Sequence, residues 1–104
     1  MKTNEKLKRF LKIDREDNVA TALADINSDE KVEIQASDGS STILTAKDPI
    51  PLGHKIALED IQENAEVIKY GSPIGEASKR IKAGEYVHTQ NLRSARGKGN
   101  VHHD

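Results

Sequence analysis

Short apolar runs alternate with polar, turn-rich stretches along the whole chain, and within the runs the apolar positions recur every second residue rather than every third or fourth. That period belongs to strands. It predicts strands at Phe10–Ile13, Val19–Leu23, Val32–Ala36, Thr42–Ala46, Glu66–Lys69 and Tyr86–Thr89. Asp38-Gly39-Ser40-Ser41 between the third and fourth reads as the turn of a hairpin, because Asp and Ser bond nearby backbone and Gly tolerates the left-handed region. Ile56–Asp60 reads as a short helical turn. Lys2–Arg9 has helix-forming residues but too few apolar ones to be held down, so fraying is expected there. Residues from Gly97 onward read as a disordered tail. The predicted organisation is therefore a flexible basic arm over 1–9, a mostly β domain over 10–96 and a tail over 97–104.

A weak internal echo runs through the domain: Ala, then Ile four residues on, then Val six residues later. It occurs as Ala22-Ile26-Val32, Ala57-Ile61-Val67 and Ala77-Ile81-Val87, with a polar turn between each Ile and Val. The copies lie 35 and 20 residues apart, which excludes a fixed-period solenoid. One supersecondary unit used three times, its Ile and Val pinning a turn to the core, explains the spacing better.

Composition narrows the functional classes. Hydrophobic residues make up 35% and aromatics 3%, so the core must rest on Ile, Val, Leu and Ala. No apolar run approaches the roughly 18 residues of a membrane span, and no signal-like apolar segment follows the first residues, so a cytoplasmic, non-membrane protein is expected. With no Cys, thiolate metal sites, disulfides and cysteine nucleophiles drop out. Net charge is −1 but unevenly spread: +4 over residues 1–12, +2 over 93–104 and −7 between them. An acidic body without aromatic stacking platforms argues against nucleic acid as a partner.

Polar and titratable side chains gather beside glycines in the second half. Gly53-His54-Lys55 follows Pro49 and Pro51, Lys69-Tyr70-Gly71 runs into Pro73-Ile74-Gly75, and Gly84 leads to Val87-His88-Thr89-Gln90-Asn91. Glycine lets backbone turn sharply or approach a ligand, and loops so built carry sites. An imidazole beside an ammonium at 54–55 suits a carboxylate-bearing substrate or a proton transfer, or is an ordinary surface loop. Lys69 and Tyr70 point to opposite faces if the strand persists, and Tyr70 is expected half in the core. His88 can bind metal or substrate, and Asn91 can bond a ligand hydroxyl or cap the turn. Asp17-Asn18 reads as turn chemistry before a strand. The terminal His102-His103-Asp104 can hold a divalent ion only weakly.

The segments GHKIAL, VIKYGSPIG and GEYVHTQN, with Asp17-Asn18-Val19-Ala20 upstream, resemble the amino-terminal domain of the altronate and D-galactarate dehydratase family, in order and spacing, from about Phe10 to Arg96. The resemblance implies a SAF-type β-clip fold with short strands, tight turns and little helix. It also implies a part in eliminating water from a sugar acid. Many members carry a second His two residues after the first, where this chain has Gln90; His88 and Asn91 alone carry over. His54 and His88 are then candidate catalytic groups, Lys55, Lys69, Tyr70 and Asn91 candidate substrate contacts, and Asn18, Gly53, Gly71 and Gly75 supports of the loops. His88 is the candidate metal ligand, since the family is generally dependent on a divalent metal ion.

A dehydration needs a base, an acid and charge stabilisation, and a domain this small offers neither clustered carboxylates nor the volume for a complete pocket. The expectation is a small subunit or amino-terminal domain whose site is completed by a large catalytic dehydratase chain, with homo-oligomerisation open. Two alternatives stand beside it. One is the small subunit of a sulfolactate sulfo-lyase, and the other a non-catalytic carbohydrate-binding or assembly module.

Overall fold

A computed structural model describes residues 6–94 and places nine strands there: β1 Lys8–Lys12, β2 Val19–Ala22, β3 Lys31–Ala36, β4 Ser41–Thr45, β5 Lys55–Ala57, β6 Glu66–Lys69, β7 Ser72–Ala77, β8 Tyr86–Val87 and β9 Leu92–Ser94. The mostly β expectation holds, and no helix is present among the described residues. None is therefore long and apolar enough to cross a membrane. Much of the basic arm, and all of the tail with its histidine pair, lie outside the described residues. Lys8 and Arg9, assigned to that arm in the sequence, are the first residues of β1.

Six strands form one sheet in the order β4-β3-β1-β2-β5-β8, and β6-β7-β9 form a second. Among the described residues only β1 and β3 pair in parallel; β1 is threaded between β3 and β2. Ile56–Asp60 is not a helical turn. Its first two residues belong to β5, paired with β2 on one side and β8 on the other. Besides β5, two further strands escaped the sequence reading, β7 and β9. Pro73 and Gly75 interrupt the first, and the second is only three residues long.

The echo turns out to be the skeleton of the fold, and it has a fourth copy, Ala46-Ile50-Ile56. Every residue of all four copies is buried. The copies join in pairs: Ile26 and Ile50 exchange backbone hydrogen bonds of 2.9 and 3.0 Å, and Ile61 and Ile81 exchange two of 2.8 Å. The first pair lines one hydrophobic core with Phe10, Ala20 and Ile34, and the second lines another with Val19. Three residues after each Ile the chain turns through positive φ, at Asp29 (68°), Gly53 (85°), Asn64 (72°) and Gly84 (92°). These are residue types that accept the left-handed region at low cost.

The strands β2, β5 and β8 are the wall shared by the two cores. Residues alternate across it: Ala20, Ala22, Ile56 and Tyr86 face the first core, and Val19, Ala57 and Val87 face the second. This alternation decides where the candidate site residues point.

Candidate functional site

β5 and β8 run antiparallel with Lys55 opposite Val87 and Ile56 opposite Tyr86. One step beyond the ladder the same register sets His54 opposite His88, on the face that carries Ile56 and Tyr86. Their rings meet edge to face with centroids 5.0 Å apart. Tyr86, two residues before His88, stacks parallel to it at 5.5 Å and 5°. Its hydroxyl lies 2.7 Å from His54 Nδ1. When the tyrosine O–H donates, His54 carries its own proton on Nε2; when Nδ1 carries the proton, the phenol oxygen accepts it. Three groups able to hold or pass a proton thus share one half-buried patch above the first core.

The backbone beneath them is fixed from both sides. His54 enters from the Pro51–His54 turn, where its N–H donates to the Pro51 carbonyl at 3.0 Å and its carbonyl accepts from Ala22 N–H at 2.8 Å. Gly53, at φ 85° with open space around it, serves that turn. His88 is fixed by Asn91, which is only 4% exposed. The Asn91 Oδ1 accepts from His88 N–H at 3.0 Å, and its Nδ2 donates to the Tyr86 carbonyl at 2.9 Å. Of the two roles open to Asn91, the structure shows the turn cap; its amide is committed to backbone, so Asn91 positions His88. Tyr86 N–H donates to Asp48 at 2.9 Å, which ties the cluster to the preceding loop.

Lys55 points the other way. It pairs with Thr21 across β2–β5 and faces the second core, half-buried at its margin. Burial pushes its ammonium below the usual lysine range, and the positive charge of Lys69 pushes in the same direction. Lys69 sits two residues beyond the buried Val67, with its Nζ 4.7 Å from the Tyr70 ring centre. The candidates therefore divide into a histidine–tyrosine face and a lysine face, on opposite sides of β5.

Tyr70 is a correction to the sequence reading: it is 58% exposed rather than half in the core. Tyr70 (φ 58°) and Gly71 (φ 76°) are the two central residues of the β6–β7 hairpin, where a two-residue loop of matching twist needs positive φ at both. Asp17 holds that hairpin in place. Nearly buried, it accepts from Gly71 N–H at 2.8 Å through Oδ1 and from Asp14 N–H at 3.0 Å through Oδ2. Asn18 adds a false rung to β6, accepting from Ile68 N–H at 2.8 Å and donating to the Glu66 carbonyl at 3.0 Å. Replacing Asp17 by Ala strands two donors, so an unfolding free energy lower by about 1–3 kcal/mol is expected in urea titration, with Asp17→Asn recovering part of it. Gly75, in β7, faces the β9 backbone so closely that no side chain fits.

Sequence reasoning missed Tyr86 and the long reach of Asp17. A Tyr two residues before a His in a strand shares its face, which was a usable signal for the first. Asp17 depends on a partner far along the chain, Gly71. Among the described residues no group of three or more His, Asp or Glu could hold a metal, and the two imidazoles supply at most two ligands. They do not make a metal site by themselves. A cleft of about 410 Å³ lined by Asp48, Pro49, Lys79, Glu85, Tyr86, Gln90 and Asn91 adjoins the cluster. A larger one of about 620 Å³, between Lys12–Arg15 and Ala36–Ser40, contains none of the candidates.

Comparison with known proteins agrees with this arrangement of motifs. Residues 8–95 match the family model described as the altronate/galactarate dehydratase SAF domain. The chain is 42% identical over 88 residues to altronate dehydratase of Bacillus subtilis, covering 85% of this chain and 17% of that protein. It is likewise 42% identical over 86 residues to altronate dehydratase of Escherichia coli, covering 83% of this chain and 16% of that protein. A third relative, the (2R)-sulfolactate sulfo-lyase subunit alpha of Paracoccus pantotrophus, is 41% identical over 63 residues, 61% of this chain and 94% of that subunit. The chain thus spans only a small part of the altronate dehydratases it matches and nearly the full length of a sulfo-lyase subunit. On the strength of the match over residues 8–95, the chain belongs to the altronate/galactarate dehydratase SAF domain family.

Proposed function

We propose that this domain supplies an acid–base edge to the active site of a sugar-acid hydro-lyase whose remaining walls belong to a larger catalytic chain. The observation that carries this is the His54–Tyr86–His88 cluster, two imidazoles with ring centres 5.0 Å apart and a phenol bonded to one of them. Dehydration removes a proton beside the carboxylate and protonates the departing hydroxyl on the next carbon. Two adjacent imidazoles suit those two transfers, and the bond from Tyr86 orients the ring of His54. The relatives named altronate dehydratase are several times longer than this chain, which supports a composite site. Any divalent metal in the assembled enzyme draws at least part of its ligand set from outside the described residues.

A second reading is favoured by one observation, the near full-length match to a sulfo-lyase alpha subunit. In it the same edge serves the loss of sulfite from sulfolactate. Purification from the native source, followed by assay of the chain alone and with its co-purifying large chain, separates the readings. Formation of a 2-keto-3-deoxy acid from altronate or galactarate by the pair only is the expected result. Sulfite release from sulfolactate transfers the proposal to the second reading. Normal turnover by the isolated chain, or no large partner at all, overturns both.

A further inference from the structure

The edge of a sheet presents backbone donors and acceptors that pair with any strand laid beside them, and this chain closes two of its edges with its own side chains. On β6 the false rung of Asn18 occupies Ile68 N–H and the Glu66 carbonyl. On β8 Asp48 accepts from Tyr86 N–H, while Gln90 and Asn91 both donate to the Tyr86 carbonyl. At the far edge of the six-stranded sheet β4 is left open. Its bonds to β3 run through Thr42 and Leu44, in phase with those from Ala36 N–H to Ser40 and from Ala46 N–H to Glu30 at either end. The N–H and C=O groups of Ser41 and Ile43 therefore point outward, and among the described residues no group bonds them. The usual guards are missing too: Ser41-Thr42-Ile43-Leu44-Thr45 holds no charge, proline or glycine, and Ile43 is 57% exposed.

We propose that β4 is a self-association edge, which pairs antiparallel with β4 of a second copy of this chain about a two-fold axis at Thr42. In that register Ser41 of each copy lies opposite Ile43 of the other, and the outward groups make four hydrogen bonds. The two Thr42 side chains meet at the axis as a favourable cross-strand pair. Thr42 also stands with Ile34, Leu44 and Leu58 in the wall of a recess of about 300 Å³ along this edge, which the second strand covers. Charge favours a second copy as the occupant. Each body carries −7 over residues 13–92, yet the seam itself is uncharged, and the two-fold brings Asp38, in the turn before β4, toward Lys47 of the other copy at both ends. β4 lies five strand positions from β8, so the histidine patches of both copies stay open, and the proposal does not depend on the dehydratase reading.

One strand pair buries much less than the roughly 1,200–2,000 Å² of a stable dimer, so the association is weak, with a dissociation constant on the order of 10⁻⁴ M. Sedimentation equilibrium of the full chain from about 10 µM to about 1 mM is expected to show reversible dimers. Hydrogen exchange read by nuclear magnetic resonance should show the Ser41 and Ile43 amides gaining protection as concentration rises, with Tyr86 and His88 unchanged. Ile43→Lys places a charge on each side of the axis at an exposed position, and Ser41→Pro removes a donor that β3 does not use. Each should weaken the dimer about tenfold or more while leaving the melting temperature of the dilute chain within a few degrees of the parent. A monomer throughout the range, undiminished dimers of Ile43→Lys, or protection centred on β8 would overturn the proposal. Protection of Ser41 and Ile43 only when a large chain is bound would assign the edge to that chain and overturn it equally.

Discussion

Replacing His88 by Ala in the assembled enzyme is expected to lower kcat by a factor on the order of 10²–10⁴, the usual worth of one positioned acid or base. The fold should survive, because His88 is only partly buried and the turn that carries it is held by Asn91 through backbone groups that remain. His54→Ala should cost a similar factor. The double variant should be little worse than either single one, since two groups that serve one elimination act as a unit. Tyr86→Phe is the finer probe. It deletes the 2.7 Å bond to His54 Nδ1 and keeps the ring stacked on His88, so it should lower kcat less than either histidine variant and leave the melting temperature little changed. Steady-state kinetics against pH, with melting curves of each variant, make the measurement. Turnover of His88→Ala within a few-fold of the parent would remove the acid–base role.

The division of the candidates between two faces was implicit in the sequence but not legible there. Period-two alternation says that His54 and Lys55 must diverge if they lie on one strand. Yet β5 has three residues, too few to show a period, and its Ala-Leu-Glu-Asp continuation favours a helical turn. What makes it a strand is pairing with β2 and β8, whose residues lie some thirty positions away on either side. Strand propensity yields to tertiary context in such short segments. The echo shows the opposite case. Three copies were visible because each keeps Ala, Ile and Val at fixed spacing; Ala46-Ile50-Ile56 hid behind one Ile-for-Val exchange and the flanking Pro49 and Pro51. The glycine-centred segments did mark where the side chains converge. They could not show that Tyr70 stands out in solvent, since a Tyr in the left-handed region of a tight hairpin is a poor guess from propensity.

Gly75→Ala is expected to be severely damaging, lowering stability by about 3 kcal/mol or more. A Cβ at Gly75 would fall inside the Arg93 carbonyl oxygen, 3.0 Å from the Arg93 carbonyl carbon and 2.9 Å from Leu92 Cδ1. Two of these three atoms are backbone, so no rotamer change relieves the clash; β9 must leave β7. Gly53→Ala is the control. Nothing lies within 4 Å of its added methyl, and only the positive φ of 85° opposes it, at about 1–2 kcal/mol. For a domain near 100 residues each kcal/mol shifts the melting temperature by roughly 4–8 °C, so thermal melts distinguish the two easily. The injury should also be local. Leu92 packs on the second core, and the Asn91 carbonyl accepts from Ser78 N–H at 2.9 Å, so detaching β9 loosens the turn that positions His88. Spectra of Gly75→Ala should therefore keep native shifts around Phe10, Ile26 and Ile50 in the first core while His88 and Asn91 broaden or move, and the assembled enzyme should lose activity at temperatures where the first core is still folded. Equal melting temperatures for the two variants would mean that β9 is not held in this register.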